Sequence, residues 1–359
     1  MDRRAFLLAS SAATVASMAP FGRMAWAADD QWRTFEITTL VQLTGAAPAG
    51  VWIPVPTVNT DYQKVLGTTF KTEGKAEIVQ DPAYGAGILV AQFSGEQKPV
   101  VEVTSRISTR NRRVDLSAAP GTVQLDADQR KHYLAGTELV ATDGIVRQTA
   151  LEITKGAHTD LEKTRAIYEW IVDNTYRDPK VRGCGVGDIK AMLETKNLGG
   201  KCGDLNALFV GLSRAVGVPA RDVYGIRVAD SALGYKSLGK SGEITKAQHC
   251  RAEFFLAGYG WVPVDPADVR KVMLEENGGL PITDAKVEAA RKRLFGSWEM
   301  NWMAYNYAAD VQLPGDPKGK VGFFMYPNAT VNEDGKPGRV DSLDPDHFKY
   351  SITSREIVA

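Results

Sequence analysis

The chain has 359 residues, 44% of them hydrophobic and 24% charged, and Lys+Arg 43 is balanced by Asp+Glu 43. Such values exclude a disordered chain, and the lack of a basic excess excludes nucleic acid and argues against an anionic membrane surface as partner. The length exceeds one ordinary core, so two domains, or one domain with a large extension, are expected.

Residues 1–27 read as a cleavable export signal. The start is charged, the centre is weakly apolar, and Ala25-Trp26-Ala27 forms a small-x-small cleavage site. Arg3-Arg4 followed by Phe6-Leu7 resembles the twin-arginine signal, whose cargo crosses the membrane folded. No later stretch has the roughly 20 apolar residues that a spanning helix needs. A periplasmic or secreted protein is therefore expected, and not a spanning one.

Residues 28–120 carry strand signals. Phe35, Ile37, Thr39, Val41 and Leu43 alternate, as do Val101, Val103, Ser105 and Ile107, and the short pieces 51–56 and 87–93 are β-prone. The pattern predicts a small β-sandwich-like domain, followed by an Ala/Pro/Gly-rich linker near 117–125. Helical signals begin near 144. Thr159 and Glu162 have the spacing of a capping box, and the apolar face that follows should end before Asp178-Pro179. A short helix is expected from Asp188 to about Thr195. The next runs from about 203 to 216, since Leu205, Leu208, Phe209, Leu212 and Val216 share a face and Gly217 marks the stop. Residues 221–228 predict a strand, and 249–256 with 261–266 a β-hairpin. A charged helix at 284–295 and a β-rich tail complete the chain, with turn signals at Asp334-Gly335 and Asp344-Pro345.

Three cysteines, Cys184, Cys202 and Cys250, are too few for a disulfide scaffold, and their odd number leaves at least one thiol free or paired outside the chain. Cys202 stands where Gly199-Gly200 turns into a helix. There the helix dipole favours a thiolate, and unpaired N–H groups can hold an oxyanion. The hairpin register sets His249 opposite residues 265–266, which makes Asp265 its cross-strand neighbour. An aspartate beside a histidine fixes the tautomer and stabilises the imidazolium. A nucleophile, a base and its orienter thus follow in the order Cys202, His249, Asp265. Strand alternation sends Cys250 to the face opposite His249 and so disfavours it as nucleophile, while Arg251 shares the His249 face and is expected to pair with a carboxylate. Trp261 suits a cleft wall or the core equally. Asp204 reads as favourable N-terminal charge. A metal site built from Cys184, Cys202, Cys250 and His249 lacks regular ligand spacing, so none is expected. A disulfide between Cys184 and Cys250, a place for Cys184 in the cleft, and free thiols all remain open.

GGKCGDLNALFVGLSRAVGVPAR at 199–221 and AQHCRAEFFLAGYGWVPVDPAD at 247–268 resemble the transglutaminase-like superfamily of papain-like cysteine enzymes. The resemblance covers residues 144–270 and extends to bacterial exported members with a β domain in front. It implies an α+β fold: a catalytic core with the cysteine-bearing helix packed on an antiparallel sheet, preceded by the β domain and followed by a helix and β-rich extension at 271–359. It further implies Cys202 as nucleophile, His249 as general base then acid, Asp265 as orienting carboxylate, a thioester intermediate and no cofactor. One departure is Arg251, at a position where the superfamily often has tryptophan. The expected activity is acyl transfer on peptide or protein amides, cell-wall peptide included, with hydrolysis favoured over amine transfer. The rival expectation is a catalytically idle envelope protein that binds peptide or glycan on the same fold.

Overall fold

The computed structural model describes residues 31–43, 48–95, 97–316, 318–333, 336–344 and 348–358. The export signal expected over 1–27 lies outside them, as do Asp334, Gly335 and Pro345 of the two turn signals.

The architecture is α+β. Its centre is a four-stranded antiparallel sheet in the order Gly260–Val264, Gln248–Leu256, Ala220–Arg227, Trp302–Asn306. Helix Cys202–Ala215 packs on this sheet with every residue buried, and Phe209 meets Phe254 across the contact at 6.2 Å between ring centroids. Such a helix needs apolar residues all round, and the sequence supplies Leu205, Leu208, Phe209, Val210 and Leu212. It stops at Gly217, whose φ of 85° only glycine adopts without strain. Helix Asp160–Asn174 starts on a complete capping box: the Glu162 N–H donates to Thr159 Oγ1 at 3.2 Å, and Glu162 Oε2 accepts from the Thr159 N–H at 2.8 Å. Thr164, Ile167, Tyr168 and Ile171 form its buried face, as their spacing predicts. Helix Ile189–Thr195 starts on Asp188 and helix Ala285–Arg293 on Asp284.

The hairpin departs from its expected register. Ala252 pairs with Val264, and the second strand ends there, so Asp265 is not a cross-strand partner of His249. Asp265 instead caps helix Pro266–Glu275, with Pro266 at its first position. Asp-Pro at a helix start is a recognisable signal, because proline lacks only an N–H that the first turn leaves unpaired. Helix Ala127–Leu134, which the sequence reading also missed, has no buried residue and hence no apolar stripe.

The β-rich ends of the chain form two five-stranded sheets. One runs Gly242–Glu243, Phe348–Ile357, Arg33–Leu43, Val100–Thr109, Gln63–Thr72; the other runs Lys336–Val340, Asn328–Glu333, Ala49–Val55, Gly87–Phe93, Lys75–Gln80. Val41, Val101, Val103 and Phe348 of the first share one apolar core with Val51, Ile53, Leu89 and Ala329 of the second. Strands from the tail therefore complete both sheets of the front sandwich.

Gly225 ties this frame to the position of His249. It pairs with His249 across the sheet, and a Cβ there would lie 2.1 Å from the Met303 carbonyl and 2.4 Å from the Trp302 ring. The Trp302 indole fills that space and donates its Nε1–H to the His249 carbonyl at 2.9 Å. Gly225→Ala is expected to destabilise the fold by about 1–3 kcal/mol through overpacking, read as a lower urea midpoint.

Candidate active site

Cys202 is the first residue of its helix, and Asp204 holds the loop in front of it. The Asp204 carboxylate accepts N–H groups from Val186, Gly187 and Lys201, each at 2.9 Å. Its role goes beyond favourable N-terminal charge, because it ties the 183–187 loop to the helix start. Gly185 is obligatory in that clamp, with a φ of 92° and space for a Cβ only 1.8 Å from Asp204 Oδ2. The Gly203 N–H donates to the Cys184 carbonyl at 2.7 Å, which sets Cys184 against the helix end. Burial raises the pKa of Asp204 and its backbone donors oppose the shift.

The sulfur atoms of Cys184, Cys202 and Cys250 lie within 4.8 Å of one another, all three buried and none in a disulfide. The Cys184 thiol donates to the Gln248 carbonyl at 3.2 Å, and Cys250 lies 3.8 Å from the Met325 sulfur. The Cys202 thiol is driven well below the ordinary thiol range, first by the neighbouring Cys184 and Cys250 thiols, against burial, and then by His249. Cys184 and Cys250 move the other way: the Cys202 partner raises Cys184, and burial raises Cys250. These directions favour a thiolate at Cys202 with two neutral thiols beside it. Three soft sulfur ligands at this separation also suit a thiophilic cation, as their spacing in sequence does not suggest.

His249 and Asp265 meet from different elements, a strand and a helix cap. His249 Nε2 lies 2.7 Å from Asp265 Oδ2 and 3.4 Å from Asp268 Oδ1. This leaves Nδ1 as the ring nitrogen that the carboxylates do not hold. Asp265 Oδ1 accepts from Asn206 Nδ2 at 3.2 Å and from the Asp268 N–H at 3.1 Å, so both oxygens are engaged. Burial lowers the pKa of His249, but Asp268 and Asp265 overcome it and the group is raised to about 10. Burial and Asp268 raise Asp265, while His249 and Arg251 oppose them. Asp268 pairs with Arg227 at 2.6 Å and is held far below the usual carboxylate range, because Arg227 and His249 outweigh its burial.

The sequence reading did not single out Asp268, Arg227 or Asn206. Asp268 stands three residues after Asp265 in the first helical turn, where both carboxylates can face one partner; Asn206, four after Cys202, shares that residue's helix face. Arg251 does pair with a carboxylate. It is buried, with Nε 3.7 Å from Asp265 Oδ2, and it stacks on Trp302 at 4.6 Å. Trp261 packs between Tyr133 and Phe255 and does not line the cleft. Cys250 leaves the strand on the face away from His249 yet still reaches Cys202.

A cleft of about 940 Å³ opens over Cys184, Cys202 and His249. Its far wall comes from the tail, through Tyr326, Phe348 and Tyr350. The fold and the meeting of a depressed thiol with a carboxylate-bound histidine define a cysteine enzyme of papain-like architecture. A family model described as the transglutaminase-like superfamily matches residues 147–266. A relative from Haemophilus influenzae, described as an uncharacterized protein, is 38% identical over 327 residues, which is 86% of each chain. The chain belongs to the transglutaminase-like superfamily. A crystal structure from Cytophaga hutchinsonii, provisionally described as a cysteine protease, superposes with a TM-score of 0.51 at 17% identity, covering 90% of this chain and 98% of that one. The periplasmic domain of TgpA from Pseudomonas aeruginosa gives a TM-score of 0.37 at 14% identity, over 68% and 93% of the two chains. Among the described residues, no helix is long and apolar enough to cross a membrane.

Two outcomes follow from these pairings. Cys184→Ala removes the thiol neighbour that most lowers Cys202, so the pKa of Cys202 rises; in iodoacetamide labelling against pH, the acid limb should move to higher pH. Asp268→Asn removes an anion from His249 and keeps an acceptor for Arg227. The pKa of His249 then falls by about 1–3 units. The His249 titration followed by NMR, expected at about 10 in the wild type, should move toward neutrality by the same amount.

Proposed function

We propose that the chain is a cysteine acyl-transfer enzyme acting on peptide or protein amides, with Cys202 as nucleophile, His249 as acid and base, and Asp265 as orienting carboxylate. The observation that carries this reading is the depressed Cys202 thiol beside a histidine whose Nε2 is held by Asp265 at 2.7 Å. In this mechanism the thiolate attacks the amide carbon, and the Cys202 N–H at the helix start meets the developing oxyanion. The imidazolium gives its proton to the leaving amine, and a thioester remains. His249, now neutral, takes a proton from the molecule that resolves the thioester. Water is favoured over an amine in that step, because the lysines that line the cleft repel a protonated alkylamine.

Export through the twin-arginine route belongs to the same proposal. It rests on Arg3-Arg4 and the Ala25-Trp26-Ala27 site, and cell fractionation with mass analysis of the mature N-terminus tests it. Envelope peptides, cell-wall peptide included, are then the available amides.

The decisive experiment incubates the mature protein with labelled glutamine-containing peptides, with and without a primary amine. Product formed without amine, and lost in Cys202→Ala, is the expected result. Amine incorporation would assign amine transfer, and peptide binding without turnover would sink the enzyme reading. Asp265→Asn should lower kcat by about 10³–10⁴-fold, since the imidazole loses the group that fixes its orientation.

A further inference from the structure

We infer that the cleft selects an acidic peptide, one whose residues flanking the attacked amide carry carboxylates. The inference rests on the reading of Cys202 as nucleophile and adds the substrate class. Lys201, Lys240, Lys246 and Lys349 line the cleft, and none of them forms an ion pair among the described residues. Lys240, Lys246 and Lys349 are exposed, and Lys201 is half-buried beside the nucleophile. The other cations of the wall are paired with carboxylates from outside it. Arg177 and Lys271 share Glu275, Arg182 takes Asp341, and Arg227 takes Asp268. Among the described residues the wall offers one carboxylate, Glu243, which accepts the Thr245 N–H at 3.0 Å and feels Lys240 and Lys246 without forming an ion pair with either. A chain with Lys+Arg 43 and Asp+Glu 43 has thus concentrated an excess of positive charge around its nucleophile.

A second observation points the same way. Gln248, next to His249 in sequence, lines the cleft at 9% exposure, and its Nε2 makes no hydrogen bond of good geometry, with only the Tyr350 hydroxyl in reach. A buried amide donor without a well-placed acceptor is costly, and a ligand oxygen would satisfy it. Ammonium groups at the rim and an under-paired N–H donor inside together describe a site for carboxylate and carbonyl oxygens. The cleft volume of about 940 Å³ gives room for a short extended segment. A peptide fits better than an anionic glycan, because a thiolate backed by a proton donor is built to attack an acyl carbon. Lysines lining one cleft also focus its field, which raises encounter rates with anions by about 10–10³-fold and makes them salt-dependent.

The test compares the wild type with Lys240→Glu/Lys246→Glu/Lys349→Glu, all at exposed positions. First, Cys202 is alkylated with anionic iodoacetate and with neutral iodoacetamide. The ratio of the two rates should fall about tenfold or more in the variant, and in the wild type as salt rises. A ratio unchanged by both overturns the inference. A Cys202 that reacts with neither reagent overturns the nucleophile reading instead. Second, kcat/KM is measured for matched glutamine peptides flanked by glutamate or by lysine. The glutamate series should be favoured by about tenfold or more, with the preference lost in the variant. Equal turnover of both series, with inhibition only by a sulfated polysaccharide, would assign the cleft to a glycan and overturn the inference.

Discussion

The site depends on the balance of charge in a buried cluster. Cys202, Asp265 and Asp268 supply the anions, while His249, Arg227 and Arg251 supply the cations, and all six are buried. An ion taken out of water costs several kcal/mol unless it is paired and hydrogen-bonded. The charges of these groups support one another against that cost, and the directions of the pKa shifts interlock, although burial still raises Asp265 and lowers Arg251 to about 10. Asp268 keeps its charge because Arg227 and His249 face it, and His249 keeps its proton because two carboxylates face it. The same pairing serves the backbone, since Asp265 accepts the Asp268 N–H while its other oxygen holds the imidazole.

That cluster needs fixed walls, and the two ends of the chain provide one of them. Strand Phe348–Ile357 runs antiparallel to Arg33–Leu43 along its length, and Arg33 reaches Glu356 at 2.7 Å. The strand carries Phe348, Lys349 and Tyr350 to the cleft, and the Gly242–Glu243 strand joins the same sheet beside it. The sandwich is therefore part of the site. It aligns the tail and the 236–246 loop across from the nucleophile, so that one cleft draws on segments far apart in the chain.

Features governed by local rules could be read from the sequence. The Thr159 capping box, the helix starts at Asp188 and near 284, the glycine stop at Gly217 and the placing of Cys202 at a helix start all follow from interactions within a few residues. The neighbourhood of His249 and Asp265 was anticipated, but through a cross-strand pairing that the structure replaces with a helix cap. Pro266 ends the ladder, and that substitution also hid Asp268. Cys250 shows the limit of the alternation rule. Alternation fixes the face from which a side chain leaves a strand, and not its distance from a helix end packed on that strand. Asn206 of the helix donates to the Cys250 carbonyl at 2.8 Å, so strand and helix are that close. The tail's pairing with the first strand had no local signal, because period-two alternation marks a strand without naming its partner.

Charge balance also bears on how a histidine with a pKa near 10 can act as an acid at neutral pH. In the resting state the thiolate is one of the anions that keep the imidazolium protonated. On the proposed pathway, attack on the carbonyl consumes that thiolate, and the negative charge passes to an oxygen at the helix start. Collapse to the thioester then removes it from the cluster. Three cations face two anions at that stage, and the least costly way to restore balance is for His249 to release its proton, since the arginines cannot. The leaving amine is its acceptor. The neighbouring thiols of Cys184 and Cys250 fit the same scheme, because they favour the thiolate without adding a cation that would outlast it. A thiolate held by lysine or arginine alone would leave a larger surplus of positive charge after acylation. Neutral thiol neighbours confine the change in charge to the one group that can transfer a proton.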